Sequence, residues 1–206
     1  MIEPLGNELR QEAAVIEEAF VCLDECINQL QAVDSSFSRV CILTLIKARN
    51  LILGMYSLAL DGLAQEAGAI LRPLIGTIEK LSYFRKDPQH VEQALDDNLP
   101  TEGKIAKVID GEFKFLRDYL SKFASHSNFS FESLKHLINL RDFSLRIVQT
   151  YDEKVFRGNL EMVFAFLIIS VMEGQKCLAS INRLDQGFAS YVSELRFRGF
   201  SVLIDN

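Results

Sequence analysis

Apolar residues recur along most of this chain at the spacing of a helix, about 3.6 residues per turn, rather than at the alternation of a strand. In the stretch 4–33, Ile16, Phe20, Leu23, Ile27 and Leu30 step by four and three, the seam of a coiled-coil-like contact on one long helix. The stretch 41–86 predicts two apolar helices joined by a tight turn near Asp61 and Gly62. The first is polar only along a narrow stripe of Lys47, Asn50, Gly54, Ser57 and Asp61, so most of its circumference is expected to be buried. The second carries Ala67, Ile70, Leu71, Leu74, Ile75, Ile78 and Leu81 on one face, and Pro73 inside it removes a hydrogen bond to Ala69. Residues 152–182 form the strongest helix, with Phe156, Leu160, Val163, Phe164, Leu167, Ile168, Val171 and Met172 on a wide apolar face.

Between these anchors the signals are shorter. Residues 88–95 and 105–109 predict brief helical segments around a loop at 96–103, and 112–125 a further helix with Phe113, Leu116, Leu120 and Phe123 inward. Residues 133–140 and 143–150 are rich in Ile, Leu and Val and partly alternating; they predict a small β-hairpin turning near Arg141 and Asp142, a pair of short helices being the competing reading. A weaker helix follows at 186–196, then an apolar tail at 197–204. The expected fold class is mainly α: an antiparallel helical bundle of four to six helices in one domain spanning 1–206, with a hairpin insertion near 133–150. Its long N-terminal helix covers 1–36 and its C-terminal extension 186–206.

One charge breaks the apolar pattern. Arg49 lies about 100° or more from the polar stripe of its helix, among Ile42, Leu45, Ile46, Ile52, Leu53 and Tyr56. A guanidinium in that company needs an acceptor, because an unpaired buried charge is too costly. If the two helices at 41–86 fold back on one another, residues of constant sum lie level. Arg49 and Glu79 sum to 128, as do Tyr56 and Arg72. The expected result is a bidentate Arg49–Glu79 pair with Tyr56 and Arg72 about two turns away. Such a cluster fixes helix register or lines a ligand pocket.

Composition narrows the partners. The net charge is −6 and the pI near 5.2, which does not support a general nucleic-acid binder, since phosphate affinity needs clustered Lys and Arg. Nucleic acid or a nucleotide at a local basic site remains compatible with it. Cys22, Cys26, Cys41 and Cys177 form no CxxC and meet no histidine at ligand spacing, so reduced core thiols, no metal and no cofactor are expected. The start of the chain lacks a basic-then-apolar leader pattern. The longest apolar run, 162–172, is eleven residues against the ~20 that span a bilayer, so a cytoplasmic protein outside the membrane is expected. The apolar tail suggests a homo-oligomer, a dimer being the simplest.

Residues 56–79, YSLALDGLAQEAGAILRPLIGTIE, carry a Gly, Glu-Ala, Leu-Arg-Pro-Leu, Glu pattern, and Leu120-Ser121 precede His126 downstream. In this the chain resembles a family of mostly bacterial all-helical proteins over about 40–175, with Arg72, Pro73, Glu79 and His126 at the matching positions. That family is distantly similar to the HEPN group, helical-bundle nucleotide-binding or RNA-cleaving domains of toxin and defence systems. The resemblance implies a ribonuclease or nucleotide-binding protein in which His126 is the general acid or base and Arg72 or Lys122 stabilises phosphate charge. The chain departs from the HEPN nuclease pattern. Eight residues separate Arg117 from His126, which puts the two on opposite faces of a continuous helix. A non-catalytic binding or interaction module, in bacterial regulation or defence, is therefore the first functional expectation, and the HEPN-like ribonuclease the second.

Overall fold

The computed structural model describes residues 9–111, 113–114, 138, 142, 144 and 152–204. Among these residues the chain is mainly α and contains no strand. The helices are α1 (Arg10–Gln31), α2 (Ser36–Leu60), α3 (Ala64–Ala69), α4 (Leu71–Lys86), α5 (Gln89–Leu95), α6 (Glu102–Val108), α7 (Glu153–Ser180) and α8 (Gln186–Ile204). The hairpin expected near 133–150, the helix at 112–125 and His126 fall almost wholly outside the described residues.

Helix boundaries follow local chemistry. Ser35, in an extended conformation, caps α2 by accepting a hydrogen bond from the backbone N–H of Ser38. Asp152 caps α7 in the same way through Val155. The turn after α2 is made by Gly62 at φ 77°, a left-handed conformation that a side chain would strain. The segment that follows is not one helix. It breaks at Ile70 into α3 and α4. Pro73 explains the break: lacking an N–H, it cannot bond to Ala69, so the chain leaves the regular ladder one turn earlier.

The core is built by α1, α2, α4, α7 and α8. The α1 seam is as expected, with Ile16, Leu23 and Leu30 fully buried and Phe20 packed at its edge. Helix α7 contributes Phe164, Leu167 and Val171, and packs on both α1 and α2. The tail beyond residue 196 is the last two turns of α8: Leu203 is buried and Phe200 meets Phe164 edge-on at 5.3 Å. A smaller cluster of Val40, Tyr83, Phe84, Val91 and Ile105 seats α5 and α6 against α4. By length and composition α2 and α7 could each cross a membrane. In this fold both supply core residues instead, which the same hydropathy also describes.

Candidate functional site

The expected bidentate pair of Arg49 with Glu79 is not what the structure shows. Arg49 pairs with Asp24 of α1: Nε donates to Oδ1 at 2.6 Å and Nη2 to Oδ2 at 3.0 Å. Its guanidinium also lies 5.5 Å from the Phe20 ring centroid. The hydrogen bond to Asp24 raises the pKa of Arg49 further. With 31% of its side chain exposed, Arg49 is at the rim of the core rather than inside it. Tyr56, two turns along α2, faces the same way. Burial and then the charge of Glu17, also on α1, push its phenol upward. The flank of α2 that bears Arg49 and Tyr56 therefore meets α1, not α4. Although α2 also packs on α4, the face it turns to α4 is not the one that carries Arg49.

Glu79 points elsewhere. It is 2% exposed and lines a cavity of about 100 Å³ with Ile78, Ser82, Gly111, Glu173 and Lys176. A Cβ on Gly111 would lie 2.5 Å from Glu79 Oε1, so the backbone at 111 approaches this carboxylate as only glycine can. Arg72 is on the exposed side of α4.

Beside that cavity is a buried network that the sequence reading passed over. Arg85 Nη2 bonds to Glu173 Oε2 and, at 2.9 Å, to Ser82 Oγ. Ser82 Oγ in turn donates to Glu173 Oε2 at 2.9 Å, and Lys176 Nζ reaches Glu173 Oε1 at 2.6 Å. Glu173 sits on α7, one of the most apolar helices in the chain. The reasoning applied to Arg49 applied equally to it: a lone charge in an apolar helix announces a partner. The cavity lies where α4 and α7 meet, with one carboxylate from each, Glu79 and Glu173, in its wall. A larger cleft of about 320 Å³ opens on the other side of Arg85, walled by Phe37, Phe84, Pro88 and Val91 and by Ser36 and Ser180.

The cysteines are buried and free. The neighbouring Cys177 thiol and burial raise the Cys41 thiol far above its ordinary range. Burial, followed by the charges of Glu18 and Glu25, pushes Cys22 up to about 11. Among the described residues no three His, Cys, Asp or Glu side chains are grouped to hold a metal. Cys22, Cys26 and Cys41 are protonated packing groups at neutral pH, without the lowered pKa of a nucleophile.

Helix α2 is apolar on two faces. Its inner face, Cys41, Leu45, Ala48, Ile52, Met55 and Ala59, is buried. Its outer face repeats the same steps of three and four with Leu43, Ile46, Asn50, Leu53, Ser57 and Leu60, all exposed. Leu43 is 67% exposed, and Ile46, Leu53 and Leu60 lie between 39% and 45%. The fold thus defines a mainly α protein with a two-sided inner helix. Comparison of the chain with protein families, curated proteins and solved structures found no match.

Proposed function

We propose that the protein is a non-catalytic interaction module: a helical bundle that offers the outer face of α2 to a partner helix. The observation that carries this reading is the exposed row of Leu43, Ile46, Leu53 and Leu60. Scattered exposed apolar residues are ordinary on a soluble protein, but a contiguous stripe at heptad spacing is the pattern by which helices recognise helices. The buried polar groups support the same reading from the other side. Arg49, Arg85, Glu173 and Lys176 are engaged in ion pairs between helices or along one helix.

The test is a photo-crosslink in cells. Benzoylphenylalanine at position 53 is expected to give a discrete protein adduct, while the same residue at position 194, an exposed site on α8, gives none. The adduct at 53 is expected to vanish when Leu43→Glu and Leu60→Glu are added. No adduct at 53, or an adduct indifferent to those changes, would overturn the proposal.

A further inference from the structure

The outer row of α2 also says which partner fits it. Written as heptads, Leu43, Asn50 and Ser57 occupy a positions and Ile46, Leu53 and Leu60 occupy d positions. The row is mixed: four large apolar groups and two polar ones, all outward. A uniformly apolar partner would cover Asn50 and Ser57 without giving their side chains a hydrogen-bonding mate, at a desolvation cost. A lipid surface would do the same, with Lys47 also exposed on this side.

A second copy resolves the mismatch in one orientation only. Run antiparallel with Leu43 level with Leu60, the pairing sets Asn50 against Leu53 and Ser57 against Ile46. Run parallel and in register, Asn50 meets Asn50, Ser57 meets Ser57, and each apolar residue meets its own kind. Parallel two-helix contacts use a single Asn at an a position in this way, its amide pairing across the axis while fixing register and helix number. The flanks raise no objection. The residues facing across in the parallel arrangement are Ile42 with Lys47, Arg49 with Gly54 and Tyr56 with Asp61, none of them a like-charge pair. Arg49 is held against α1 by Asp24, which keeps it out of the seam.

We infer that the outer face of α2 joins two copies of this chain in a parallel, two-fold contact through Leu43, Ile46, Asn50, Leu53, Ser57 and Leu60. This rests on the interaction-module reading and specifies its partner.

The experiment uses the full chain. Sedimentation equilibrium is expected to show a dimer. Leu43→Glu with Leu53→Glu is expected to give a monomer of unchanged helical circular dichroism, because both side chains are exposed, and its melting no longer depends on protein concentration. Asn50→Asp is expected to weaken self-association by about tenfold or more, since it sets like charges together across the axis. Orientation is read by Asn50→Cys under copper–phenanthroline oxidation. A crosslinked dimer of the single variant is expected, against the wild-type chain, whose own buried thiols give the background. If instead Asn50→Cys joins only to a Leu53→Cys copy, the contact is antiparallel and the inference falls. A wild-type chain that stays monomeric also overturns it; an adduct at position 53 to a different protein would then still uphold the module reading, and no adduct would remove both.

Discussion

Arg49 of α2 grips both oxygens of Asp24 on α1, not the carboxylate of Glu79. The pair is one of several arginine–carboxylate bridges between helices. Arg157 joins Glu12 across α7 and α1, Arg198 joins Glu18 across α8 and α1, and Arg85 joins Glu173 across α4 and α7. An apolar stripe can slide by a turn with little loss, whereas a side-on guanidinium pair fits one alignment. These bridges therefore act as register marks for helices whose faces are otherwise uniformly greasy.

Asp24→Ala is expected to lower stability by only about 0.5–1 kcal/mol, because both partners are partly open to water. Glu79→Ala, for its part, is expected to leave Arg49 in place. A crystal structure or the guanidinium NMR signals of each variant would separate the two. An Arg49 displaced by the Glu79 change, but not by the Asp24 change, would contradict the pairing.

Glu173→Ala is expected to be the more costly change, by about 3–5 kcal/mol, since it strands the mostly buried guanidinium of Arg85. Urea denaturation measures this directly. Adding Arg85→Met to the same chain is expected to recover part of the loss, because the stranded charge is then gone.

Gly199→Ala should destabilise the protein by about 1–3 kcal/mol through overpacking. A Cβ there would fall 2.0 Å from Cζ of Phe164, a ring with no exposed surface of its own. Phe164→Leu opens space at that point, so the double variant is expected to lose less than the two single changes summed. Additive losses in a thermal-melting cycle would show that the two positions do not touch.

Stability is expected to fall at alkaline pH. Cys22 is held protonated up to about 11 in the fold, while in the unfolded chain it ionises near its ordinary value of about 9. Its contribution is therefore complete below about 9 and is lost as pH rises from there through about 11. Cys26 and Cys41, raised for reasons of burial and thiol contact, add to the slope in the same direction. Denaturation midpoints taken between pH 8 and 11 are expected to decline less steeply in Cys22→Ala. A flat profile in the wild-type chain would refute the assignment.

How far each feature could be read in advance depended on how local its cause was. The seam of α1, the capping of α2 by Ser35, the turn at Gly62 and the apolar face of α7 are set by residues a few positions apart, and the spacing in the chain displays them. The demand of Arg49 for an acceptor was also visible, because a lone charge in an apolar helix has a cost wherever that helix packs. What the chain could not display was the acceptor. Asp24, on the preceding helix, was passed over, and Glu79, level with Arg49 in a simple fold-back of 41–86, looked the better match.

The amino-acid sequence by itself determined that this protein is mainly helical, where its long helices lie, and that α2 has apolar residues on nearly every side. Tertiary structure decided which of those sides is covered. The choice between Asp24 and Glu79, the gathering of Ser82, Arg85, Glu173 and Lys176, and the exposure of Leu43, Ile46, Leu53 and Leu60 all follow from how α1, α2, α4 and α7 are set against one another. Helix formation is a matter of neighbours in the chain, whereas the rotation of one packed helix against another is fixed only when every side chain between them has found its place.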